Sequence, residues 1–180
     1  MWLGLNKTNS ERFILVEIDC KETSEVHVID LQGLQGANAH QNAELRCIQP
    51  RIQGLRYDAN HHGEFFYILT NRDGALNNKL MRTPVETTSM EHWSEIRPYS
   101  NTQKLDYLLC FQNHIAIQGR AAGIRQIWVV DMNQMGTASS VTSCEHAIEF
   151  PEPVYSASFR DNYEFDTSTL RLSYSSFITP

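Results

Sequence analysis

The sequence predicts an all-β chain: a partial β-propeller of about three blades, each a four-stranded antiparallel sheet, incomplete without the rest of a longer chain. Three observations carry this. Apolar residues recur with strand periods rather than helical ones. The same strand order returns at nearly constant spacing. No segment of helical length is amphipathic, and the one helical candidate, Thr87 to Trp93, reads as a single turn. A repeat of roughly 40–50 residues carrying four strands is the signature of a propeller blade.

The elements follow in chain order. Phe13 to Asp19 is β-branched and aromatic, and Glu25 to Leu31 alternates polar and apolar residues with period two. The polar Cys20 to Ser24 between them has hairpin length. A second hairpin pairs Glu64 to Thr70 with Lys79 to Thr83 around Asn71-Arg72-Asp73-Gly74, where Asp-Gly supplies the positive φ that a turn needs. A third joins His114 to Gln118 with Arg125 to Asp131 around Gly119 to Gly123, and a fourth begins at Thr169 to Tyr174. The first strands start near 13, 65, 114 and 170, at intervals of 52, 49 and 56. Another strand precedes each hairpin except the first: Gly54 to Asp58, Leu105 to Phe111 and Pro153 to Phe159. Weaker outer strands follow at Trp93 to Arg97 and His146 to Phe150. The expected division is therefore 1–50, the end of one blade and a connection; 51–100, a blade; 101–150, a blade; and 151–180, the start of the next.

A blade packs on neighbours at both faces, so its middle strands can be apolar on both sides. Phe65 to Leu69 and Ile127 to Val130 have that character. A two-sheet sandwich would leave the regular spacing a coincidence. Half a blade at each end would expose sheet edges and apolar faces, which marks the chain as part of a larger protein.

Composition excludes several functions. With 15 basic and 21 acidic residues among 180, the net charge is −6 and no nucleic-acid-binding stripe is expected. No run approaches the roughly 20 apolar residues of a membrane span, and the N-terminus lacks a secretory signal. The sequon Asn6-Lys7-Thr8 stands alone. The four cysteines, 20, 47, 110 and 144, lie too far apart in sequence for a zinc knuckle or a redox pair and read as reduced thiols of a cytoplasmic protein.

Catalytic signatures are missing. There is no Gly-x-Ser-x-Gly nucleophile elbow and no His-Glu-x-x-His. Gly33-Leu34-Gln35-Gly36, the nearest approach to a phosphate loop, lacks the Lys and helix that such a loop requires. His61-His62-Gly63-Glu64 lacks the Pro-Cys-x-x-Cys of a zinc deaminase and reads as a polar turn. Cys144-Glu145-His146 could seed a thiolate–imidazole pair, but nothing else marks it. Arg46, Arg51 and Arg56 read as a solvated edge, and Trp128 as a core or inter-blade residue. The pairs Glu149/Glu152 and Asp161/Glu164 fall in loops. No catalytic, cofactor-binding or metal residue is expected, and no cofactor.

Four segments nonetheless carry a family's text. Thr23 to Leu31, Phe66 to Asn77, Arg125 to Asp131 and Leu170 to Pro180 resemble, in order and spacing, the N-terminal propeller of the oligopeptidase B branch of the prolyl oligopeptidase family. The resemblance implies a seven-bladed propeller joined to an α/β-hydrolase domain holding a Ser/Asp/His triad. It further implies a serine endopeptidase that cuts short peptides after basic residues, with the propeller gating access. None of the triad lies here, so the expected partners are the catalytic domain and short peptide substrates. The alternative from the residues alone is a stand-alone propeller-type interaction module.

Overall fold

The computed structural model describes residues 1–32, 34, 43–135 and 140–179. The Gly33 to Gly36 reading lies outside them, apart from Leu34. Fourteen strands run β1 Trp2–Lys7, β2 Phe13–Asp19, β3 Ser24–Asp30, β4 Arg46–Gln49, β5 Tyr57–His62, β6 Phe65–Thr70, β7 Lys79–Pro84, β8 Ser94–Arg97, β9 Gln103–Cys110, β10 His114–Ala121, β11 Ile124–Asp131, β12 Glu145–Ala147, β13 Tyr155–Phe159 and β14 Leu172–Ser176. They form antiparallel sheets of four, four, four and two strands, each in sequential order: β1–β4, β5–β8, β9–β12 and β13–β14. The leading strands start at residues 2, 57, 103 and 155, so the repeat of about 50 residues is physical.

The first sheet corrects the expectation of a lone hairpin there. β1 and β4 flank β2 and β3, completing a four-stranded blade. β1 carries Gly4 and Asn6 and no β-branched residue, so its sequence lacks a strand's usual composition. The other elements shift by a few residues. Gly54 sits at φ 80 in a turn, which delays β5 to Tyr57. Thr87 to Trp93 contains only a 3₁₀ turn at Met90–His92, and a single helical turn occupies Met132–Met135. The Asp-Gly step behaves as its chemistry dictates, with Asp73 at φ 59 and Gly74 at φ 77.

Packing follows from the two-residue period of a strand. On β6, Phe66 and Ile68 join a core with Phe13, Leu15, Val26 and Val28 of the first blade. Tyr67 and Leu69, pointing the other way, join Leu105, Ile115, Ile117 and Trp128 of the third. β10 alternates likewise: Ile115 and Ile117 face the second blade, while Ala116 packs with Leu109, Phe111 and Phe159 toward the fourth. Burying a side chain as large as Phe66 contributes on the order of 1.5–3 kcal/mol.

Polar groups tie the same interfaces. Arg97 of β8 pairs with Glu145 of β12 at 2.7 Å and stacks over the Trp128 ring, joining the second and third blades. Trp128 is the inter-blade residue its sequence suggested. Arg46 donates to the Val85 carbonyl across the first two blades at 2.6 Å, and Arg51 reaches the Ile18 and Thr23 carbonyls. Arg46 is a half-buried staple and not the solvated edge expected, whereas Arg51 and Arg56 are exposed.

Gly119 lies inside β10, not in the turn assigned to it, and the turn is Ala122-Gly123. The β9–β10 register slips between Gln118 and Gly119. A Cβ there would collide with the Lys104 carbonyl and approach Trp128 to 2.9 Å. Gly119→Ala should therefore lower stability by about 1–3 kcal/mol, as overpacking does. Urea unfolding of the 180-residue chain checks this, and an unchanged midpoint would refute the packing described.

Candidate functional site

The inner strands of successive blades converge on one cavity of about 780 Å³. Its walls come from β1 and β2, β5, β9, and the segment Phe159 to Tyr163. Hydrogen bonds between blades hold the wall together: Asn60 donates to the Leu108 carbonyl at 3.1 Å, and Asn9 to the Asn162 carbonyl at 3.1 Å. Asn162 is buried and braces its own loop, donating to Arg160 and Arg171 carbonyls and accepting from the Arg171 amide.

The lining is acidic. Glu17, Asp19, Asp58 and Asp161 share the lining with two basic residues, Lys7 and Arg160, and Arg56 lies near enough to act on Asp58. Glu17 projects opposite Gly4, where a side chain would crowd its carboxylate, and accepts from Asn6 at 2.6 Å. Asp58 is exposed to the cavity, whose walls crowd it from several blades. That enclosure, with the charges of Asp19 and Glu17, pushes its pKa up to about 6. Burial likewise raises Glu17, against the Asn6 hydrogen bond. Tyr107 is half exposed but packs near Phe159, and this partial enclosure, with the charges of Glu17 and Asp58, raises its pKa. Such a concavity favours cationic guests and disfavours anions.

The motifs weighed from sequence resolve as structural. His61 and His62 end β5, and only Gly63 and Glu64 form the turn. His61 is buried between Phe13 and Phe66 and bonds Ser10 Oγ through Nδ1 at 2.7 Å. A Ser–His contact of this kind could pass for a nucleophile and its base. Here burial, aided by Arg12, drives the imidazole pKa down to about 4, and Nε2 has no hydrogen-bond partner among the described residues. The ring is thus wedged in a core and is a weak base. Cys144 donates to the Val141 carbonyl, burial raises its thiol pKa, and Glu145 is committed to Arg97. No thiolate–imidazole pair forms between Cys144 and His146.

Sequence reading missed the cavity, because it is assembled from four chain segments, 6–19, 58–60, 107–109 and 159–163, that are distant in sequence. It also missed a cluster on the first blade, Glu25, His27 and Cys47, whose donor atoms all lie within 4.8 Å of one another.

The comparisons agree with this geometry. The profile for "Prolyl oligopeptidase, N-terminal beta-propeller domain" matches residues 1–180. The chain belongs to that family. It is 30% identical over 178 residues to "Protease 2" of Moraxella lacunata, and 25% identical over 179 residues to "Dipeptidyl aminopeptidase BI" of Pseudoxanthomonas mexicana. These matches cover 99% of this chain but 23% and 22% of those proteins. Oligopeptidase B from Trypanosoma brucei, in a closed form with covalently bound antipain, superimposes with a TM-score of 0.87 at 27% identity, over 99% of this chain and 24% of that one. Oligopeptidase B from Leishmania major gives 0.85 at 26% identity, with the same coverage. The chain thus spans about a quarter of the length of each of these four proteins. Among the described residues, no helix is long and apolar enough to cross a membrane.

The depressed His61 pKa has a definite sign. The folded state prefers neutral imidazole, so this contribution is intact above the unfolded value near 6.5 and is lost as pH falls toward 4. A shift of this size corresponds to a few kcal/mol at most. Urea midpoints of the 180-residue chain should fall across that window, and His61→Phe should flatten the fall. An equally steep fall in the variant would show that another group is responsible.

Proposed function

We propose that this chain is the non-catalytic propeller segment of an oligopeptidase B-like serine peptidase, which cuts short peptides after basic residues in the cytoplasm. The propeller limits access to a catalytic domain carried elsewhere in the protein. The observation that carries the reading is the acidic cavity at the inner strands, on a fold shared with oligopeptidase B. Blades packed face to face are stiff, so a peptide in an extended or flexible state can pass where a folded protein cannot. Carboxylates along the passage concentrate cationic peptides before they reach the catalytic domain. The first sheet also leaves Leu3 and Leu5 exposed on its outer face, a surface suited to cover by another blade.

The test uses the full-length protein. Wild type should hydrolyse short Arg or Lys peptides, and the 180-residue chain alone should give background. Asp58→Asn combined with Glu17→Gln should raise KM for cationic peptides by roughly tenfold, part of the gain that field focusing can supply. Neutral-flanked peptides should change little, and the effect should fade in high salt. A full-length protein that turns over no Arg or Lys peptide would overturn the peptidase reading. Equal effects on cationic and neutral peptides would overturn the role of the cavity.

A further inference from the structure

We propose that Glu25, His27 and Cys47 form a zinc-binding site on the face of the first blade turned away from the second. The donor set is one carboxylate oxygen, one imidazole nitrogen and one thiol sulfur, all of which zinc accepts in tetrahedral sites. His27 Nε2 and Glu25 Oε1 are 2.9 Å apart, and the three donor atoms lie within 4.8 Å of one another. All three residues are half-buried in this chain, on the face that also carries Leu3 and Leu5, so a cation there is partly shielded from water and a covering blade would enclose it further. Three protein donors leave a fourth position for water or another ligand.

The fold builds this cluster deliberately. Glu25 and His27 are two apart on β3 and share a face, while Val26 and Val28 turn into the core. A regular ladder would place Ile48 opposite His27. The register instead slips between Val26 and His27, so that Ile48 enters the core and Cys47 stands across from His27. Bulges re-aim side chains in this way. The second blade carries the same slip, with Leu80 opposite Arg97 and Met81 opposite Glu95. There the residue matching Glu25 is Lys79, whose ammonium bridges Asp73 at 2.9 Å and Glu95 at 3.1 Å. At that position the second blade supplies its own cation. The first blade presents donors; the Arg51 charge acts on Glu25, but among the described residues no Lys or Arg side chain forms an ion pair with it.

The surroundings support coordination. The other Glu25 oxygen accepts the Arg51 amide at 2.8 Å, which fixes the carboxylate as an outer partner would. Metal binding displaces the Cys47 thiol proton, which leaves to solvent as the sulfur–metal bond forms.

Cobalt(II) titrated into the 180-residue chain should produce a sulfur-to-cobalt charge-transfer band that saturates at one ion per chain and is displaced by zinc. Cys47→Ser should abolish the band. Glu25→Gln and His27→Gln should each weaken binding by more than the roughly 10–100-fold that loss of an outer partner costs. Cys20→Ser is the control: Cys20 is partly exposed, its pKa is lowered by its Thr23 hydrogen bond, and it should be dispensable. A measurement on unaltered protein guards against variants that fail to fold. Zinc should slow alkylation of Cys47 and leave Cys20 reactive. Absence of the band, or a band that survives Cys47→Ser in folded protein, overturns the site. Alkylation of Cys47 at the same rate with and without zinc overturns it too.

Discussion

The sheet of residues 57–97 buries both of its faces, and the rest of the chain is arranged around that constraint. Phe66 and Ile68 cannot stay dry without the first blade, nor Tyr67 and Leu69 without the third. A strand that is apolar on both sides has no solvent-facing option, so sheets must stack in series. Inter-blade polar contacts then fix the order of stacking. The Arg97–Glu145 pair is worth having only where both partners are met, because either group left alone in that interface would be costly.

The chemistry lies where the stacking leaves gaps. Inner strands converge without meeting, and the polar residues that could not be buried between blades line the opening. Glu17, Asp58 and Tyr107 come from three different blades, yet Asp58 feels the Glu17 charge and Tyr107 feels both carboxylates. Enclosure amplifies this field, since protein replaces much of the water that would screen it. The outer strands behave differently. A bulge shared by the first two blades gives each of those a local polar cluster, filled by Lys79 in the second and by Glu25, His27 and Cys47 in the first.

Much of this was legible in the sequence because hairpins are local. Phe13 to Asp19 and Lys79 to Thr83 show their strand character within a few residues, and the Asp73-Gly74 turn declares its own backbone. β1 was not legible, since Gly4 and Asn6 weaken its pattern and only pairing with β2 makes it a strand. The His61 environment was hidden for a similar reason. Its partners Ser10 and Phe13 sit about 50 residues away, and burial between blades turns an apparent polar turn residue into a core one. The cavity and the Glu25 cluster depend on register and on blade order, which short-range patterns do not encode.

The central claim is that alternate residues of β6 belong to different interfaces. A pair of double-mutant cycles on the unfolding free energy of the 180-residue chain tests it most directly. One cycle combines Phe13→Leu with Phe66→Leu, whose rings are 4.9 Å apart; the other combines Phe66→Leu with Leu105→Ala, which lie in separate cores. The account predicts coupling of about 0.5–1.5 kcal/mol in the first and additivity in the second. Additivity between Phe13 and Phe66, with coupling between Phe66 and Leu105, would contradict it.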